Sequence, residues 1–136
     1  MTSYLITGSS RGLGLGLVQL LASKSASEVA HVFATARKTN DDLSAVIAAH
    51  PDRIHFIELD VADASSVNNA VKQVTGILEA RTMSLDVLVN NAGIGSMSPP
   101  KKFEHVFVSV GTYMLLLLAD KVSLGRIWKR CSRPTS

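Results

Sequence analysis

Tyr4-Leu5-Ile6-Thr7-Gly8-Ser9-Ser10-Arg11-Gly12-Leu13-Gly14 is the stretch on which the architecture turns. Tyr4–Thr7 is a short apolar run with the composition of a buried strand, and Gly8-Ser9-Ser10 ends it in a turn. From Gly12 to Lys24, Leu13, Leu17, Leu20 and Leu21 recur at helical spacing and mark an amphipathic helix. A strand that turns through glycines straight into a helix leaves the first helical N–H groups without intrahelical partners. Their partial positive charge then faces the turn. Such a turn receives phosphate. Gly8 permits the tight bend, and Gly12 and Gly14 carry no side chain to hold a pyrophosphate away from the backbone. No Gly-Lys-Ser/Thr follows, so the loop is not of the Walker kind.

Outward from this loop the same alternation repeats. Val29–Thr35 is β-rich and apolar, as a strand covered on both faces requires. Asp41–His50 has helical propensity and is stopped by Pro51. Ile54–Leu59 is a third strand, and Asp63 or Ser65 can cap a helix through Val67, Val71, Val74 and Leu78. Leu85–Val89 is a fourth strand, closed by Asn90-Asn91-Ala92-Gly93. The order βαβαβαβ, with connections long enough for crossover helices, implies an α/β fold with a parallel sheet and helices on both faces.

The end of the second strand selects the dinucleotide. A site for NAD places an acidic residue there to hold the ribose 2′-hydroxyl. This chain has Ala36-Arg37-Lys38 instead, with Arg11 in the glycine loop. A guanidinium grips a 2′-phosphate through paired hydrogen bonds where a carboxylate repels it. The expected cofactor is therefore NADP(H).

Composition sets the bounds. The chain has 136 residues, 46% apolar and 18% charged, which suits one packed domain. Residues 1–100 carry seven Lys/Arg against nine Asp/Glu, and residues 101–136 carry seven against two, so the basic excess belongs to the tail. The single cysteine, Cys131, allows no internal disulfide and fits a reducing, cytoplasmic setting. His31, His50, His55 and His105 show no metal-ligand spacing, and no metal site is expected. The most apolar stretch, Val106 to Ala119, has 14 residues, short of the roughly 20 that span a bilayer. No membrane segment and no secretory signal are expected.

The motifs Thr7-Gly8-x-x-x-Gly12-x-Gly14, Asp60-Val61 after the third strand and Asn90-Asn91-Ala92-Gly93 after the fourth occur in the order and separation of one family. The chain resembles the short-chain dehydrogenases/reductases. Arg11 and Arg37 are similar to those of its NADP-preferring branch, and the opening is similar to fungal ketoreductases of the norsolorinic acid reductase type and to carbonyl reductases. The resemblance covers residues 3 to about 100 and continues faintly to Ala119. It implies a Rossmann-type doubly wound sheet, here truncated after about four strands in the order 3-2-1-4. It also implies that Asp60 bonds the adenine amino group with Val61 beside the ring, and that Asn90, Asn91, Ala92 and Gly93 line the cofactor ribose. With Thr7, Gly8, Ser10, Arg11, Gly12, Leu13, Gly14 and Arg37, these form the expected cofactor site.

The family's chemistry rests on a Ser, a Tyr and a Lys four residues after that Tyr, because hydride transfer leaves charge on oxygen that a positioned acid must neutralise. Tyr4 lies in the first strand, and Tyr113 has Leu117 at the fourth position, so neither matches. Ser109 falls where the family has an Asn. No catalytic residue is assigned, and a carbonyl/alcohol oxidoreductase that is inactive alone is expected. The division expected is a cofactor-binding half-domain over 1–100, a remnant of the next helix over 101–119, and a basic tail over 120–136. The Val106–Leu118 helix would lie in a family dimer interface, which makes a homo- or hetero-oligomer with a full-length relative the expected partner. Trp128-Lys129-Arg130-Cys131-Ser132-Arg133 is read as lying outside the fold's pattern, as in a read-through or shifted frame, and not as a nucleic-acid or membrane-binding tail.

Overall fold

The computed structural model describes residues 1–92. Its elements are β1 (Thr2–Thr7), α1 (Gly12–Ala22), β2 (Val29–Ala36), α2 (Asp41–Ala49), β3 (Ile54–Glu58), α3 (Ala64–Ala80) and β4 (Val87–Val89). The strands form one parallel sheet in the order β3-β2-β1-β4, a Rossmann-like α/β arrangement. Side-chain alternation along the strands divides the core in two. Leu5, Phe33 and Ile57 face one side and meet Val67, Ala70, Val71, Val74 and Leu78 of α3. Ile6, Val32, Ala34 and Ile54 face the other and meet Val18, Leu21 and Ala22 of α1 and Leu43 of α2. β2, covered on both faces, has all eight of its residues buried.

Several boundaries and one helix face differ from the sequence expectation. β1 begins at Thr2 and β4 only at Val87. β1 starts at Thr2 because Thr2 pairs with Val29 of β2 and its N–H donates to the Glu28 carbonyl at 3.1 Å. On the β4 side, the Asp86 carboxylate accepts the Ser3 N–H at 2.8 Å and the Asp86 N–H donates to the Ser3 carbonyl at 3.2 Å. Ser3 Oγ adds a bond to the Ser84 carbonyl at 2.6 Å. The side-chain bonds of Ser3 and Asp86 therefore add a polar latch to the backbone pairing at the sheet's entry. α1 ends at Ala22, where the Ser23 hydroxyl takes up the Leu20 carbonyl at 2.7 Å. Its buried face is Gly14, Val18, Leu21 and Ala22, whereas Leu13 and Leu20 are 86% and 54% exposed. Of the four leucines expected on this face, Leu21 is buried and Leu17 packs against the core, while Gly14 and Ala22 take the places beside the sheet that Leu13 and Leu20 do not. At α3 the cap is Asp63, whose Oδ1 accepts the Ser65 N–H at 2.9 Å.

At the sheet end remote from the glycine turn, His31 Nδ1 and His55 Nε2 lie 2.9 Å apart, and the His55 ring stacks on Phe33. Burial holds both histidines below the ordinary 6.5, helped at His31 by Arg81 and Arg53 and at His55 by His31 and Arg81, with Asp52 opposing. The sign follows from linkage: below pH 6.5 the unfolded chain binds more protons than the folded one, so stability falls as the pH drops. The hydrogen bond acts in the same direction, since two imidazoliums would set N–H against N–H. Urea unfolding midpoints are expected to decline between about pH 7 and pH 5, above the main carboxylate range. A double His31→Phe, His55→Phe variant should flatten that decline. An unchanged slope would remove the pair as its source.

Among the described residues no helix is long and apolar enough to cross a membrane, and no three His, Cys, Asp or Glu side chains gather as metal ligands.

Candidate cofactor site

Parallel strands deliver the β1–α1 turn, the β2–α2 turn, the residues after β3 and the residues after β4 to one end of the sheet. Gly8 and Gly12 hold positive φ, +70° and +59°, which only glycine adopts without strain. Arg11 is the extended N-cap residue of α1 but makes no side-chain cap, and no acidic residue stands in the first turn. The other two helices differ. Asn40 caps α2, with Asp41 and Asp42 following, and Asp63 caps α3. The amide end of α1 is thus left to an anion from outside the helix.

From the sequence Gly12 and Gly14 share one task; in the structure they separate. A Cβ on Gly12 would meet nothing within 4 Å, so this position faces open space. A Cβ on Gly14 would stand 2.0 Å from the Gly8 carbonyl oxygen and 2.7 Å from Asn91 Nδ2. Gly14 is therefore committed to packing α1 onto the turn. Gly8 is equally confined, with a Cβ placed 2.9 Å from Ala92 Cα.

The end of β4 is tied to this turn. Thr7 Oγ1, buried at 3% exposure, accepts the N–H groups of Asn91 and Ala92, each at 2.9 Å. The Asn91 carboxamide donates to the carbonyls of Thr7 and Gly8, each at 3.2 Å. Asn91 is thus a strut between β1 and β4, while Asn90 is exposed. Gly93 lies outside the described residues, as do Ser109, Tyr113, the Val106–Leu118 stretch and the basic tail.

Arg11, Arg37 and Lys38 are all exposed, with Arg37 the first residue beyond β2. Leu13, in the first turn of α1, is also exposed, and Ser10 is half-buried. The turns after β1 and β2 are joined. The Ser9 N–H donates to the Thr35 carbonyl at 2.9 Å, and Asn40 Nδ2 donates to the Ser10 carbonyl at 2.5 Å. Asp60 and Val61 are half-buried. Asp60 Oδ1 accepts the Ala62 N–H at 3.0 Å, and the Asp60 N–H donates to Ser66 Oγ at 2.8 Å, which steadies the turn after β3. Val61 packs against the α3-side core. Ser9, Thr35 and Asn40 were not among the expected site residues. The cap could have been found from the Asn40-Asp41-Asp42 helix-start pattern. The bond to Ser10 could not, because it joins positions thirty residues apart.

The family model for short chain dehydrogenase matches residues 2–109. The chain belongs to the short-chain dehydrogenase family. Human 17-beta-hydroxysteroid dehydrogenase type 1 is 42% identical over 103 residues, which span 72% of this chain and 29% of that protein. Norsolorinic acid ketoreductase of Aspergillus parasiticus is 29% identical over 130 residues, 90% of this chain and 47% of that protein. Among solved structures, the NADPH-bound carbonyl reductase from chicken fatty liver is 30% identical with a TM-score of 0.66, covering 89% of this chain and 50% of that one. This short-chain dehydrogenase sequence therefore spans about a third to a half of the length of the proteins it matches. The match begins at Thr2, the first residue of β1.

Proposed function

We propose that residues 1–92, with Gly93, hold NADP(H), and that the chain is the cofactor-binding portion of a carbonyl/alcohol oxidoreductase. The observation that carries this reading is the uncapped amide end of α1 beside the open face of Gly12, with Arg37 and Lys38 on the turn bonded to the same loop. The pyrophosphate takes the α1 amides, and the 2′-phosphate takes Arg37 with Arg11. Asp60 and Val61 meet the adenine, and Asn90 to Gly93 meet the ribose. The NADPH bound to the carbonyl reductase structure supports the choice of cofactor.

Bound NADPH supplies a hydride to a carbonyl carbon. The accompanying proton needs an acid at the substrate oxygen, and neither Tyr4 nor Tyr113 has a lysine four residues on. The 136 residues are therefore proposed to bind cofactor without turning over a carbonyl substrate by themselves. The acid and the substrate pocket then belong to further sequence or to a full-length relative.

Arg37→Asp tests the assignment. Hydrogen bonds to a charged group contribute about 1.5–3 kcal/mol, so NADPH affinity should fall roughly tenfold to a hundredfold while NADH affinity changes little. Titration of nicotinamide fluorescence with both cofactors reads this directly. Equal losses would place the 2′-phosphate elsewhere.

A further inference from the structure

We propose that Asn40 is a positioning residue that sets the preference for a 2′-phosphorylated cofactor, an inference that rests on the NADP(H) reading above. Both ends of its carboxamide are used. Oδ1 accepts the Leu43 N–H at 3.0 Å, which caps α2, and Nδ2 donates to the Ser10 carbonyl at 2.5 Å. The partners fix the orientation, because a carbonyl needs the donor and an N–H needs the acceptor. One side chain thus pins the start of α2 to the glycine turn.

The two cations selected by charge lie on either side of this pin. Arg11 follows Ser10, and Arg37 and Lys38 precede Asn40. The segment between is short and held at both ends. Ala36 pairs with Glu58 in the sheet and accepts the Leu59 N–H at 2.9 Å, and Asn40 is held at Ser10. Arg37 and Lys38 are themselves exposed, and the segment that carries them is held beside the glycine turn by its backbone anchors. Without the bond to Ser10 the turn keeps its helix cap, and the end of β2 keeps the Ser9–Thr35 bond, but the start of α2 is no longer held to the glycine loop. A doubly charged 2′-phosphate held between two cationic turns feels that loss. A ribose 2′-hydroxyl does not.

Asn40→Ser separates these roles, since serine caps a helix about as well as asparagine yet is too short to reach Ser10. Asn40→Gly, which costs a cap only a few tenths of a kcal/mol, repeats the test in case serine disturbs α2. The 136-residue chain is titrated with NADPH, NADH, adenosine 2′,5′-bisphosphate and AMP, and thermal unfolding is recorded alongside. Loss of one neutral hydrogen bond should weaken NADPH and the bisphosphate by roughly threefold to tenfold, with NADH and AMP within about twofold. In an Arg37→Asp background the same replacement should add less to the NADPH loss than it does alone, because only Lys38 remains of the two cations on the segment it positions. A merely structural role would lower all four affinities together. That result, or unchanged affinities, overturns the proposal. If Arg37→Asp is selective and Asn40→Ser is not, only the role of Asn40 fails. If neither is selective, the 2′-phosphate assignment fails and takes this inference with it.

Discussion

Gly14→Ala is expected to destabilise the chain by about 3 kcal/mol or more, a large part of the ~5–15 kcal/mol that holds a typical domain together. The added carbon would stand 2.0 Å from the Gly8 carbonyl oxygen and 2.7 Å from Asn91 Nδ2. The nearer obstacle is backbone, at a residue whose own Cβ position is closed off by Ala92. Neither side can yield by a rotamer change, so α1 must lift from β1 or the turn must open. Either movement separates the amide end of α1 from the strand end that aims it. Gly16→Ala is the control within the same helix, because nothing lies within 4 Å of its added carbon. There alanine should stabilise by about 0.5–1 kcal/mol through helix propensity. Urea midpoints of the two variants should move in opposite directions from the parent. A Gly14→Ala loss below about 1 kcal/mol would mean that the contact between α1 and the turn relaxes easily, against the expected cost of overpacking.

Thr7→Val should cost about 1–3 kcal/mol although it keeps the side chain's shape. Thr7 Oγ1 accepts the N–H groups of Asn91 and Ala92 at a buried position, and valine leaves both without it. The Asn91 N–H keeps the Val89 carbonyl at 3.1 Å, so the main loss falls on the half-buried Ala92 N–H, and a buried donor left unsatisfied costs about 1–3 kcal/mol. The residues released are those that join β4 to the glycine turn, so amide exchange at Asn91 and Ala92 should speed up more than exchange in β2. Thr7→Ser keeps the acceptor and should restore most of the stability. Full stability in Thr7→Val, with unchanged exchange at both amides, would show that the hydroxyl is dispensable.

Much of this architecture is written locally. Tyr4–Thr7 running into Gly8, the apolar Val29–Thr35 and the capped helices each carry their own signal. Their alternation leaves few arrangements besides a parallel sheet with β1 near its centre. The same locality marked the glycine turn between β1 and α1 and Arg37-Lys38 as a cationic end to β2. On α1 the apolar stripe is only partly the buried face: Leu21 is buried and Leu17 packs against the core, as their spacing predicts. Leu13 and Leu20 are large but exposed, while Gly14 and Ala22 are small and buried against the sheet. Apolar spacing tells which residues can be buried, not which edge of a broad apolar stripe the sheet selects.

What the chain's local chemistry determined is the class of fold, the glycine turn between β1 and α1 and the sign of charge beside it. Each of these depends on neighbours a few residues apart. The tertiary structure alone decided that Gly14 serves packing while Gly12 faces open space, and that Asn91 braces β1 against β4. It also decided that Asn40 reaches back to Ser10 and that His31 pairs with His55. Those contacts join residues 24 to 84 positions apart where they cross between strands and turns. Their partners are chosen by how parallel strands align in register, a long-range packing outcome that no single stretch of sequence encodes.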